Sequence, residues 1–350
     1  MISKFKTSLK SSIFGIAAAS AVVAMGLGGP AAAQDKIKIK LAHFLPTANG
    51  MHKDFMEPWA RQLEACTDNQ VEVTIYPGGT QLGNIAKLHD EVRAGIVDIA
   101  HGLSGIPGGR FERTRIIDLP FTVKTADAAT RTLWALYPDY LAEEYGGLKV
   151  LALHAHNPGQ IHTTTKKVAT MDDMKGLRIR FPSGAVKSML EALGATPQGM
   201  PPGAVYENAE KGVIDGAAFT WDTMASFKLA EVMKHHLDAK AYVVSFWFAA
   251  NEKKYNSWPQ NVRDCVDKLS GDNLIPKFGP WWNDWDKAGY EAVQGPDHEI
   301  ITLSDEQRAE WATALQPMID AYLADLEGKG IANAREIHEK MLELAAKYAE

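Results

Sequence analysis

Residues 174–221 open with Met174-Lys-Gly-Leu-Arg-Ile-Arg-Phe-Pro-Ser-Gly184 and continue as a helix-like run into Gly194-Ala-Thr-Pro197. They close on Lys211-Gly-Val-Ile-Asp-Gly-Ala-Ala-Phe-Thr-Trp221. The run 177–181 alternates apolar and basic residues, the period of a strand. Pro182 and Gly184 stop it and open a helix, with Ser183 a suitable N-cap. Arg180 is therefore placed at the C-terminal end of a strand, beside the partly positive amides of a helix N-terminus. A planar cation in that position is a good receptor for a carboxylate. A lone arginine there is equally an exposed charge at a strand edge, so its meaning depends on the rest of the chain.

Outward from this stretch, short apolar runs alternate with longer amphipathic ones. Runs at 37–45, 71–76, 97–102, 150–154, 177–181, 216–219 and 242–249 read as strands. Those at 55–66, 88–95, 126–145, 185–193 and 207–212 read as helices between them. Beyond Pro259 the pattern turns helical, with amphipathic spacing over 303–326 and 334–348. Such alternation predicts an α/β fold of open, mostly parallel sheets with helices on their faces. Ligands of such sheets sit beyond the strands' C-terminal ends.

Taken together, these segments resemble the DctP-type solute-binding proteins of TRAP transporters, the tripartite ATP-independent periplasmic uptake systems. The family's Gly-Leu-Arg-Ile-Arg-x-Pro strand matches Gly176–Pro182, and the resemblance makes Arg180 the carboxylate-gripping residue. Leu193–Pro197, Val205-Tyr206 and Val213–Gly216 follow in the same order. Tyr76-Pro-Gly-Gly-Thr-Gln-Leu-Gly83, Gly95–Ala100 and the 116–121 stretch ending in Asp-Leu-Pro-Phe extend it over most of the chain. The resemblance implies a two-lobed periplasmic binding protein with a hinge and a helical C-terminal region. Lobe I would take residues 34–157 and about 246–285, and lobe II 158–245 and about 286–350. It also implies a small organic acid and TRAP permease subunits as partners, with no enzyme activity and no cofactor.

The full chain has 37 basic and 43 acidic residues. Lys4, Lys6 and Lys10 precede an apolar run over 13–27 and an Ala31-Ala-Ala33 cleavage signal, so residues 1–33 read as a secretory signal peptide and the mature chain as periplasmic. Without those three lysines, 34 basic residues face 43 acidic ones, a net charge of −9. That balance disfavours nucleic acid as a partner. No later stretch approaches membrane length. Cys66 and Cys265 could bridge in an oxidising compartment. They fall on helix-like stretches far apart in sequence, expected at separate places on the surface, so the pairing stays open.

The strand ends supply the remaining candidates. His154-Ala-His156, with His162 beyond, is the competing signal: imidazoles at this spacing can hold a divalent metal. A secreted metal-dependent hydrolase built on those three is the enzyme alternative, and a receptor serving a sensor is a further one. Asn157-Pro-Gly159 breaks the strand at once, which favours His156 as a hydrogen-bonding residue of the cleft. Gly159-Gln160-Ile161 stands where relatives that bind sialic acid or dicarboxylates carry a Gly-x-Arg segment, so their second cation is missing, and Gln160 is a candidate polar group of the cleft. Phe219 stands where they carry asparagine, with Trp221 two residues on. Those losses point to a monocarboxylate with an aromatic or apolar body, because a flat ring stacked on Phe or Trp gains about 0.5–1.5 kcal/mol beyond burial. His43 and Phe44 end the first strand, His101 ends another, and Trp247 offers an aromatic wall; all four are candidate cleft residues. Trp281, Trp282 and Trp285 have helical spacing and read as hinge-helix packing. No G-x-S-x-G elbow, phosphate-binding loop, G-x-G-x-x-G or H-E-x-x-H is present.

Overall fold

The computed structural model describes residues 35–349, so the expected signal peptide lies outside them. The strands, in chain order, are β1 (Ile37–His43), β2 (Val71–Tyr76), β3 (Ile99–Leu103), β4 (Leu148–Ala155), β5 (Gln160–Thr163) and β6 (Arg178–Phe181). β7 (Thr196–Gly199), β8 (Gly216–Phe219), β9 (His235–Asp238), β10 (Ser245–Asn251) and β11 (Glu299–Thr302) complete them. The α-helices are α1 (Glu57–Cys66), α2 (Leu88–Arg93), α3 (Ala126–Leu136), α4 (Gly184–Ala192), α5 (Val205–Glu210) and α6 (Asp222–Ser226). They continue as α7 (Glu252–Ser257), α8 (Gln260–Lys268), α9 (Ile275–Glu291), α10 (Asp305–Gly328) and α11 (Ala334–Tyr348). β5, β7, β9 and β11 carry no long apolar run, which is why the sequence pattern did not show them.

Two sheets form, one ordered β2-β1-β3-β10-β4 and the other β11-β9-β5-β8-β6-β7. Five of the nine strand pairings are parallel. In each sheet one strand, β10 or β5, runs against both neighbours. Those are the strands that enter a sheet from the other lobe, so the sheets are mixed rather than simply wound βα units.

The chain therefore crosses between lobes at 156–159 and at 239–244. The two crossings are tied together: Gly159 N donates to Tyr242 O at 2.6 Å, and Ala241 N to Gly159 O at 3.2 Å. A third connection is α9, which packs on α3 of the first lobe and on α6 of the second. Glycines make both approaches possible. A Cβ at Gly279 would lie 2.7 Å from the Asp127 side chain, and one at Gly289 would lie 1.8 Å from the Trp221 carbonyl oxygen.

Three surroundings differ from the sequence expectation. α1 and α8 lie side by side, and Cys66 and Cys265 are joined in a disulfide with Cα atoms 5.9 Å apart across 199 positions of sequence. Trp282 and Trp285 are buried, as helical packing predicts, but Trp282 also reaches the cleft. The C-terminal segment straddles the molecule: α10 touches α4, whereas α11 rests on α3 of the first lobe through Ile337, Met341 and Ala345.

Candidate ligand-binding cleft

A cavity opens where the strands of both sheets end. Phe44 follows β1, Leu103 ends β3 and His156 follows β4; Pro182 follows β6 and Phe219 ends β8. Tyr242, Val244 and Phe246 come from the second crossing and β10, Trp282 from α9, and Thr223 and Phe227 from α6 and its end. Six aromatic side chains, Phe44, Phe219, Phe227, Tyr242, Phe246 and Trp282, stand in the cavity wall.

Arg180 is the charge at its base, 1% exposed. Its Nε donates to Met200 O at 3.3 Å and Nη1 to Ala218 O at 3.2 Å, both neutral acceptors. The guanidinium carbon lies 4.2 Å from the centroid of the Phe219 ring. Nη2 is buried with no partner. Desolvation lowers the pKa to about 10, and no carboxylate opposes it. Arg178, two residues earlier at the open end of β6, is instead paired with Asp215 through Nε at 3.0 Å and Nη2 at 2.6 Å. An uncompensated buried ion costs several kcal/mol even after relaxation. An arriving carboxylate would remove that cost, so the unfilled valence of Arg180 suits an anion.

Two further polar groups flank it. Tyr242 Oη is buried without a partner, and burial pushes its pKa up while Arg180 opposes the shift. His156 is buried too, and desolvation holds its pKa down to about 4. Behind the crossing, Asp118 Oδ1 accepts from Ser245 N at 3.0 Å and Oγ at 3.1 Å. Burial raises its pKa to about 7, with Arg115 working against the rise.

Across the cleft, Asp222 belongs to a network that ties the lobes. Its Oδ2 accepts from Asn49 Nδ2 of the first lobe at 2.9 Å, and Thr220 donates to Oδ1. Asp286 of α9 accepts from Asp222 N at 3.1 Å and from Asn157 Nδ2 at 3.0 Å. Burial, with Asp222 nearby, raises Asp286 to about 7.

The structure brings Arg180, Phe219, His156 and Phe44 together at this cavity. The other expected cleft residues lie elsewhere. Trp247 is in the first-lobe core, covering Gly102 and meeting His89 edge-on, because it faces the opposite side of β10 from Phe246. A one-residue step along a strand reverses the face, and Phe246 takes the wall position. His101 lies behind the wall, stacked under Phe44 and bonded to His154 at 2.9 Å. His43 is turned inward to His52 at 2.9 Å. Gln160 and Trp221 line a separate polar recess with Asp238 and Asp286, where Gln160 Nε2 donates to Pro158 O at 2.8 Å and Asp238 Oδ1 at 3.2 Å.

The three histidines of the metal alternative diverge. His154 stacks on Phe278 at 3.9 Å, His156 faces the cleft, and His162 pairs with His236 in the second sheet at 2.8 Å. Among the described residues, no three His, Cys, Asp or Glu side chains are placed to hold a metal. Sequence reasoning missed Tyr242, Asp222 and Phe227. The only signals were position: Tyr242 reads as the first residue of a strand that in fact starts at Ser245.

Two α/β lobes joined by paired crossings, with a buried cation lacking a counter-ion in the cavity where their strands end, are the architecture of a solute-binding protein. Residues 41–325 match the DctP family, the bacterial extracellular solute-binding protein family 7, and the chain belongs to that family. It is a TRAP-type periplasmic solute-binding protein, not an enzyme. It is similar to a marine metagenome TRAP solute-binding protein specific for aromatic acid ligands, solved with metahydroxyphenylacetate: 30% identity and a TM-score of 0.86 over 90% of this chain and 100% of that one. A TRAP solute-binding protein of Rhodoferax ferrireducens, solved with copurified benzoate, is 29% identical with a TM-score of 0.85 over 90% and 99% of the two chains. The C4-dicarboxylate-binding periplasmic protein DctP of Rhodobacter capsulatus is 24% identical over 327 residues, 91% of this chain and 96% of that protein. Proteins of this class take up small organic acids together with a TRAP permease, and among the described residues no helix is long and apolar enough to cross a membrane.

Proposed function

We propose that this protein captures an aromatic monocarboxylate in the periplasm and hands it to a TRAP-type permease. The observation that carries the reading is Arg180: one buried guanidinium, without a protein counter-ion, at the base of a cavity walled by Phe44, Phe219, Phe227, Phe246 and Trp282. One cation matches one carboxylate. Arg180 and Tyr242 Oη donate to it, and the aromatic walls take the ring. Closure of the lobes excludes water and strengthens the ion pair. The two similar proteins solved with aromatic acids support the ligand class. In this reading residues 35–157 with about 246–285 make the lobe that supplies Phe44, Phe246 and Trp282, and 158–245 with about 286–350 make the lobe that holds Arg180. Export rests on the sequence of residues 1–33.

Unfolding and refolding the protein to strip co-purified solute, followed by a thermal-shift panel, tests this. Benzoate and phenylacetate are expected to raise the melting temperature more than succinate or sialic acid. At 100 times its Kd a ligand adds about 2.7 kcal/mol. A panel led by the dicarboxylate or the sugar acid refutes the aromatic assignment.

A further inference from the structure

Beside Arg180 the cavity wall carries a polar group whose hydrogen-bonding direction the backbone has already decided. His156 Nδ1 lies 2.5 Å from the carbonyl oxygen of Asn157. A carbonyl only accepts, so Nδ1 carries the hydrogen. The ring is buried, and both desolvation and the nearby Arg180 charge keep it neutral at neutral pH. Nε2 therefore holds a lone pair and no hydrogen. With Nδ1 turned to the backbone, the opposite edge of the ring is the one left for the cavity that His156 lines.

The other unfilled polar atoms here, Arg180 Nη2 and Tyr242 Oη, have hydrogens to give. A plain carboxylate satisfies both and brings no hydrogen of its own, which leaves the Nε2 lone pair unmatched in a closed site. The acceptor stands at the carboxylate end of the cavity: its ring meets Tyr242 edge-on at 5.8 Å, and it feels the charge of Arg180. A hydroxyl on the carbon next to the carboxylate would present a hydrogen there. An ammonium at the same carbon would set a second positive charge beside Arg180.

We propose that His156 Nε2 is the specificity-determining acceptor for such a hydroxyl, so that the ligand this site selects is an aromatic 2-hydroxy acid rather than the unsubstituted acid. The proposal rests on the aromatic-acid reading above and refines it. A site built to hydrogen-bond a ligand hydroxyl rejects the analogue lacking it, because its own buried group is left unpaired.

Isothermal titration of the stripped protein with phenylacetate, both mandelate enantiomers and α-methoxyphenylacetate tests it. One mandelate enantiomer is expected to bind at least about tenfold tighter than phenylacetate, the range set by one unsatisfied buried acceptor. The methoxy compound, with no hydrogen to give, is expected to bind no better than phenylacetate. In His156→Phe, whatever its absolute affinity for phenylacetate, the preference for mandelate over phenylacetate is expected to disappear. Equal binding of phenylacetate and mandelate to the parent protein overturns the role of His156 alone, as does a preference that survives in His156→Phe or extends to the methoxy compound. The ligand comparison stands even if that variant does not fold. Binding of none of these acids overturns the aromatic reading and this proposal with it.

Discussion

Replacing Arg180 with methionine separates what the guanidinium does for the fold from what it does for the ligand. Arg180 is fully buried, and desolvation lowers its pKa from the ordinary guanidinium range to about 10. At about 1.36 kcal/mol per pKa unit, the ion costs the ligand-free fold roughly 3 kcal/mol. Against that stand two hydrogen bonds to carbonyl oxygens and the face of Phe219. These contribute about 1 kcal/mol each, in total roughly the same amount. A flexible apolar side chain of similar length removes cost and benefit together. The unfolding free energy of the ligand-free variant, from urea titration, is thus expected within about 1–2 kcal/mol of the parent. Binding should suffer far more. The ligand's carboxylate would enter a dry site without its counter-ion, a loss of about 2–5 kcal/mol for one partner of a buried charge pair. Calorimetry should show the Kd of the cognate acid rising about 30-fold or more. Affinity within threefold of the parent would refute the role of Arg180 as receptor. A ligand-free protein weakened by more than about 3 kcal/mol would show that the guanidinium is primarily a structural element.

Two further outcomes follow from the fold. The Cys66–Cys265 bridge closes a loop of 199 positions, for which the chain-entropy account gives about 5 kcal/mol at 25 °C; the double serine variant should unfold at markedly lower urea, and an unchanged midpoint would mean the disulfide does not constrain the unfolded chain. The pH dependence is set by buried histidines. His43 and His236 are lowered to about 3 and His156 to about 4, all mainly by desolvation, and His101, His154 and His162 also lie well below 6.5. Between the folded values and 6.5 the unfolded chain binds more protons, so stability is complete above pH 6.5 and falls as pH drops. Asp118 and Asp286, raised to about 7 by burial, act in the opposite sense, losing stability as pH rises from about 4 to 7. The histidines outnumber them, so the unfolding free energy should decrease from pH 6.5 to 5, and Asp286→Asn should steepen the decrease. A level or rising profile would contradict the assignment.

Most of the architecture was legible because burial periodicity is local. The seven apolar runs all became strands, and the amphipathic C-terminal stretches became α10 and α11. The four missed strands pair through the backbone and have weakly patterned side chains: β7 is Thr-Pro-Gln-Gly, and β11 has no fully buried residue. The disulfide was hidden for a related reason. Nothing in the neighbourhood of Cys66 or Cys265 states that α1 and α8 are adjacent.

For the candidate site, the sequence alone pointed to four residues that line this cavity, Arg180, Phe219, His156 and Phe44, since each sits at or just past a strand end and chain direction puts strand ends at the cleft. It also determined the family, through many short segments in fixed order. Which aromatic forms the wall was a tertiary matter: Phe246 and Trp247 are neighbours, and only the register of β10 against β3 and β4 turns one to the cavity and the other into the core. Tyr242, Asp222 and Trp282 come from three separate segments, the second crossing, α6 and α9, which meet at one cavity only in the folded chain. Strand ends follow from local alternation of side chains, whereas the direction of a particular side chain depends on long-range pairing that no short window of residues contains.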